Sequence, residues 1–112
     1  MTSTRTAVVA LAGLSLAGAL VAAPPAEAVV VKKITMTNSM TFLPATVTVK
    51  KGTVVRWVNP SFTTHTTTSN KGLWNATVRP GGTYSRTFNR VGTFGYRCTI
   101  HSMMTGKIIV VS

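Results

Sequence analysis

After residue 33 the chain alternates apolar and polar side chains in short runs, and no stretch holds a helical period. Ile34-Thr35-Met36-Thr37 alternates, as does Thr46-Val47-Thr48-Val49. Lys50-Lys51-Gly52 reads as a turn into Thr53-Val54-Val55-Arg56-Trp57-Val58, and Pro80-Gly81-Gly82 as a turn into Thr83-Tyr84-Ser85-Arg86-Thr87-Phe88. Val91-Gly92 leads into Thr93-Phe94-Gly95-Tyr96, and Gly106 opens Lys107-Ile108-Ile109-Val110-Val111. A period of two puts alternate side chains on opposite faces of a pleated strand. Several such runs at even spacing, punctuated by Gly and Pro, predict an all-β domain built as a sandwich or small barrel. Thr is used heavily in these runs, as expected of exposed strand faces.

The first 28 residues follow a different pattern. Arg5 precedes an uncharged apolar run at 7–23, and Ala26-Glu27-Ala28 has the small-x-small form of a cleavage site. These are the three parts of a secretory signal peptide. The run is mostly Ala and Gly rather than Leu and Ile, which favours removal over retention as a membrane anchor. There is no Arg-Arg pair for twin-arginine export and no Cys near the cut for lipidation. The expected organisation is a cleaved signal peptide at 1–28 and one domain at 29–112, exported to a periplasm, a cell surface or the medium.

Composition then narrows the chemistry. The 84 residues left after cleavage bury a limited core, so a bound metal would add appreciably to stability. Cys98 is the single cysteine of the 112-residue chain, so no internal disulfide can form. A lone thiol in an oxidising compartment is a liability unless something occupies it, and a metal ion would. Of the 12 lysines and arginines only Arg5 lies in the first 28 residues, and the sole acid, Glu27, lies there too. The domain therefore has 11 basic side chains and no carboxylate side chain. Paired-acid glycoside hydrolysis, a carboxylate-oriented catalytic triad and a carboxylate cage for calcium are all excluded. So strongly basic a surface steers toward acidic partners at low ionic strength. Candidates are an acidic redox protein, anionic lipid headgroups and cell-wall polymers. Export and the absence of an aromatic-flanked basic patch argue against nucleic acid.

Candidate chemistry concentrates in Tyr96-Arg97-Cys98-Thr99-Ile100-His101-Ser102-Met103-Met104-Thr105-Gly106. Seven residues carry a thiolate, an imidazole and a thioether, and the other histidine, His65, lies 33 positions before Cys98. Singly, such residues are usually surface, core or gap-filling groups; together they form a ligand set. Two His, one Cys and a Met suit a trigonal copper site with a weak axial thioether, as used for one-electron transfer. His65, Cys98 and His101 with an open position would also suit zinc. Catalytic zinc would need a general base that this domain lacks, and a soft Met favours copper. Met36-x3-Met40 is a candidate second soft site, weighed against a core role for Met36 and a loop role for Met40. Asn75-Ala76-Thr77 matches a glycosylation sequon.

These motifs together resemble the cupredoxins, and within them the amicyanin and plastocyanin group of small blue-copper proteins. The likeness runs from about Ile34 to Val111. It includes Phe42-x-Pro44, Val55-x-Trp57-x-Asn59, His65, Pro80-Gly81, Phe88-x3-Gly92-x-Phe94-x-Tyr96-x-Cys98 and Cys98-x2-His101-x2-Met104-x-Gly106. It implies a Greek-key β-sandwich with His65, Cys98 and His101 as equatorial copper ligands and Met104 as the axial one. Met103 competes for that role, but the family's Met lies two before the Gly that starts the last strand. By the same analogy His101 is the partly exposed ligand, rimmed by Ile100, Met103 and Phe62. One departure stands out. Where the amicyanin and plastocyanin group commonly has Asn after the first ligand His, tying the two ligand loops together, this chain has Thr66 facing Thr99.

The expected function is a monomeric carrier of single electrons between redox partners, one of them acidic, and not an enzyme. The alternative is a copper-binding protein that stores the ion or delivers it to another exported protein.

Overall fold

The computed structural model describes residues 28–112. The expected signal peptide lies outside these, apart from Ala28. Nine strands, and no helix among the described residues, make two sheets. One sheet is β2 (Phe42–Leu43), β1 (Val31–Met36), β4 (Thr53–Val58) and β7 (Thr83–Phe88), in that spatial order. The other is β3 (Thr46–Lys50), β9 (Thr105–Val111), β8 (Gly92–Arg97), β5 (His65–Ser69) and β6 (Asn75–Val78). The chain passes repeatedly between sheets, and the pairs β1–β4 and β3–β9 are parallel within otherwise antiparallel ladders. The fold is the expected all-β Greek-key sandwich.

The strands form because their alternation lets one face of each sheet close on the other. Ile34 and Met36 of β1, Val55 and Trp57 of β4, Val47 and Val49 of β3, and Ile108 and Val110 of β9 all point inward and are buried. Aromatic rings fill the centre. The Trp57 ring lies 5.4 Å from that of Tyr96 and 5.9 Å from that of Trp74, and Phe42 meets Tyr96 edge-on at 4.6 Å. Such offset and edge contacts add to the area that each ring removes from water.

Two glycines have definite structural roles. Gly52, with φ of 96°, turns β3 into β4 and donates its N–H to the Phe88 carbonyl at 2.7 Å. Gly106 sits directly opposite Tyr96 across the β8–β9 ladder. A Cβ at 106 would lie 2.3 Å from Tyr96 Cζ, so the ring folds flat over the space a side chain would take.

The threonine expectation needs correcting. Thr66, Thr67 and Thr68 of β5 are buried, not displayed on an exposed face. Each hydroxyl is hydrogen-bonded: Thr67 accepts from the Trp74 indole N–H at 2.9 Å, and Thr68 donates to Asn75 Oδ1 at 2.9 Å. A strand of five buried polar residues escapes any hydrophobic pattern, so β5 was not predictable from alternation. Met36 and Met40 separate. Met36 is fully buried in the core, while Met40 is exposed in the turn between β1 and β2, so the two do not form a second soft site.

Candidate metal centre

Strand ends bring three of the four predicted donors together, those of His65, Cys98 and His101. His65 is the first residue of β5, Cys98 follows the last residue of β8, and His101 and Met104 belong to the segment that leads into β9. That segment is closed by its own backbone: Cys98 N–H donates to the Met104 carbonyl at 2.9 Å and Met104 N–H to the His101 carbonyl at 3.1 Å. One donor atom each from His65, Cys98 and His101 lies within 4.8 Å of the others. His65 Nδ1 and His101 Nδ1 are 3.1 Å apart, and Cys98 Sγ is 3.6 Å from His101 Nδ1. Bond lengths of about 2.0–2.1 Å to nitrogen and 2.3 Å to sulfur, at tetrahedral angles, imply donor separations of about 3.3 and 3.6 Å. The two pairs that involve His101 therefore stand near the spacing an ion requires, and the whole set lies within 4.8 Å. His65 is fully buried, Cys98 nearly so and Met104 buried, whereas His101 is half-buried.

Neighbouring polar groups fix which nitrogen of His65 faces the site. His65 Nε2 lies 3.0 Å from Ser61 Oγ. That hydroxyl has one proton and two further oxygen neighbours that can only accept, Asn59 Oδ1 at 2.5 Å and the Thr63 carbonyl at 3.0 Å. Its proton goes to one of them, so His65 Nε2–H must donate to Ser61. Nδ1 is left with its lone pair aimed at Cys98 and His101, the tautomer a metal needs. Asn59 anchors the assembly by donating through Nδ2 to the carbonyls of Thr63 and Val78, each at 2.8 Å. Burial and the facing His101 push the His65 pKa below its usual 6.5, opposed by a hydrogen bond to the Thr37 backbone. Asn59 and Ser61 were not singled out from sequence as orienting groups. The signal was the polar Asn59-Pro60-Ser61 immediately after an apolar strand.

Thr66 takes the tying role that the sequence left open. Its N–H points at Cys98 Sγ, 3.3 Å away, and its hydroxyl oxygen accepts the Thr99 N–H at 2.8 Å. The hydroxyls then form a directed chain. Asn75 Oδ1 can only accept, so Thr68 gives its proton there. Thr66 therefore gives its own to Thr68 at 3.0 Å, and Thr99 donates to Thr66 at 3.1 Å. The chain links the Cys98 segment through β5 to β6, which makes Thr68 and Asn75 part of the site's support.

A family model described as a cupredoxin-like domain matches residues 6–110. The chain belongs to that family. Over 92 residues this cupredoxin is 37% identical to amicyanin of Paracoccus versutus, covering 77% of this chain and 67% of that protein. It is also 34% identical to chloroplastic plastocyanin of Tetradesmus obliquus, over 91% of this chain and 76% of that one. The solved structure of amicyanin from Paracoccus versutus superposes with a TM-score of 0.63 at 34% identity, over 79% of this chain and 85% of that one. The cofactor of a cupredoxin is one copper ion, and the thiolate and imidazole donors gathered here suit it.

Proposed function

We propose that this cupredoxin carries single electrons between redox proteins outside the cytoplasm, using copper held by His65, Cys98, His101 and Met104. One observation carries the reading: a Cys and two His, their donor atoms within 4.8 Å, in a domain that offers no carboxylate side chain for hydrolytic or calcium chemistry. Bound copper would supply a one-electron couple between its cuprous and cupric states. The chain supplies the rest. His65 presents a fixed tautomer, the Thr66 N–H places a dipole on the thiolate, and burial excludes water from three of the four side chains. Met104 suits the axial role because it is buried at the start of β9, whereas Met103 is 89% exposed.

The half-buried His101 then serves as the electron port. Ile100, Met103 and Phe62 are all exposed on segments that border the site, and an apolar rim of this kind suits a brief encounter with a partner. That partner is an acidic redox protein, given 11 basic side chains after residue 28 and no acidic ones. The protein is exported with residues 1–28 removed, works as a monomer and is not itself an enzyme. Delivery of cuprous ion to another exported protein is the second reading, favoured by the exposed thioethers of Met40 and Met103.

The test is the visible and EPR spectrum of residues 29–112 loaded with Cu(II), with Cys98→Ser as control. An intense blue band with narrow copper hyperfine splitting, lost in the control, is expected. A colourless protein, or an ordinary tetragonal Cu(II) signal, would overturn the electron-carrier reading. Retention of the ion through repeated redox cycles separates a carrier from a donor.

A further inference from the structure

The basic side chains are not spread evenly, and their distribution follows strand direction. The metal donors lie where β5 begins, β8 ends and β9 begins. The opposite end of the sandwich holds the β3–β4 turn, the β7–β8 turn and the point where the chain enters β1. Backbone bonds join these pieces: Gly52 N–H to Phe88 O, Lys51 N–H to Val111 O, and Val54 N–H to Val30 O. Lys50, Lys51 and Arg90 lie in the turns at this end, and Lys32, Lys71 and Arg86 line clefts that open beside them. Arg79 and Lys107 lie toward the donor end, and the Arg97 side chain turns to Asn70 Oδ1 at 3.0 Å.

Exposed apolar residues accompany those cations. Val29, Val30 and Val31 are 70%, 63% and 44% exposed, and they line two adjoining clefts with Lys32, Lys50 and Lys51. On the other side of this end, Leu73, Val91 and Phe94 border clefts shared with Lys71, Arg86 and Arg90. The Arg86 guanidinium stacks on Trp74 and Phe88 at 5.0 and 4.9 Å, which holds it in place. Lysines and arginines around small apolar groups suit the boundary between lipid headgroups and acyl chains. The chain also enters here, with Val29 six positions after the apolar run at 7–23. Removal of residues 1–28 would add an α-amino group at this same end.

We propose that the end of the sandwich remote from the metal donors docks on an anionic lipid surface and turns the His101 face outward. The docking does not depend on the bound ion. One- and two-residue apolar contacts give marginal binding alone, so the basic cluster and the valines act together, and affinity falls steeply with salt.

Residues 29–112 carry all nine strands and are the protein to test. Sedimentation with phosphatidylglycerol–phosphatidylcholine vesicles should show binding, with none to phosphatidylcholine alone. Combined Lys50→Gln, Lys51→Gln, Lys71→Gln and Arg90→Gln should weaken binding at least tenfold. A charge-matched control, Lys33→Gln, Arg56→Gln, Arg79→Gln and Lys107→Gln, should retain most of it. Thermal melts of both variants show that each is folded. Amide hydrogen exchange on vesicles should slow at 30–31, 50–53 and 89–93 but not at 98–104. Equal loss in both variants, protection at 98–104, or no binding to anionic vesicles would each overturn the proposal. So would equally tight binding to soluble polyphosphate, which would identify a general polyanion site instead.

Discussion

Replacing Ser61 by Ala tests the reading of His65 most directly, because the structure isolates the consequence to one atom. The Ser61 hydroxyl touches four groups: His65 Nε2, Asn59 Oδ1, the Thr63 carbonyl and the Thr63 N–H. Three of them keep a partner or reach water without it. Asn59 Oδ1 still receives the Ser61 backbone N–H at 3.0 Å, and the Thr63 carbonyl still receives Asn59 Nδ2. Thr63 itself is only partly buried. The fully buried His65 Nε2–H is the group left short. An unsatisfied buried donor costs about 1–3 kcal/mol, and the nearby Thr37 backbone relieves part of that. The expected loss in the metal-free protein is therefore about 1–2 kcal/mol. With a urea slope of about 1 kcal/mol/M for a domain this small, the unfolding midpoint should fall by about 1–2 M.

The same substitution frees the His65 proton to move to Nδ1, where it blocks the donor position. Copper affinity should drop about 10- to 100-fold, the usual result of losing a group that orients a metal-bound histidine. Nitrogen NMR of the metal-free protein gives an independent readout. Wild type should show His65 protonated at Nε2, and Ser61→Ala should show a mixture of tautomers. An unchanged urea midpoint together with a single unchanged tautomer would refute the reasoning.

Thr66→Val removes the oxygen that accepts the Thr99 N–H and breaks the hydroxyl chain. Because Thr99 is exposed and can turn to water, the cost should be about 1 kcal/mol, with a shifted copper absorption band; Thr66→Asn should recover most of both, and failure to do so would sink the tying role. Gly106→Ala puts a methyl group into the Tyr96 ring, so unfolding should be easier by about 1–3 kcal/mol or more; a neutral result in thermal denaturation would show that β9 can shift away. In the metal-free protein, His65 has a lower pKa folded than its ordinary 6.5, so the unfolded chain binds more protons just below that value. Stability should then fall as pH drops from about 7.5 to 5.5, and urea midpoints that stay level or rise on acidification would contradict it.

Sequence and structure agree where side chains bury by alternation, and diverge where burial is polar. The runs at Thr46 and Lys107 are strands whose alternate residues are apolar and face the opposite sheet, as do Val55 and Trp57 of the Thr53 run and Tyr84 and Phe88 of the Thr83 run, with Arg86 interrupting the pattern. β5 offers no such cue: His65-Thr66-Thr67-Thr68-Ser69 reads as a loop, yet all five residues are buried. The Thr66 hydroxyl meets Thr99, 33 positions away, and those of Thr67 and Thr68 meet Trp74 and Asn75 across the turn that follows. Tertiary pairing of that kind leaves no local trace. The start of β1 was missed for a related reason, since Val31-Lys32-Lys33 is exposed and is held by its parallel ladder to β4. Cys98 and His101 were legible because their chemistry is concentrated in one segment. His65 was legible only because the chain has two histidines.

On the electron-carrier reading proposed above, the support around the site bears on the rate of transfer as well as on affinity. Of the links that shape it, none passes through the ion: Cys98 N–H to Met104 O, Thr99 N–H to Thr66 Oγ1, and His65 Nε2–H to Ser61 Oγ are all protein–protein bonds. The donor atoms of His65, Cys98 and His101 are consequently held within 4.8 Å of one another by the protein itself. A cage that keeps its shape on its own cannot relax fully to the preferred geometry of either oxidation state, so little moves when the charge changes. Thr66 sharpens the point. A hydroxyl here does what the amide commonly found at this position in the amicyanin and plastocyanin group does, so the position is constrained by the bond it makes and not by the residue that makes it. What differs is where the bond leads. The hydroxyl extends through Thr68 to Asn75, giving the Cys98 segment a second brace in β6, and the rigidity of the site becomes a property of the whole five-stranded sheet.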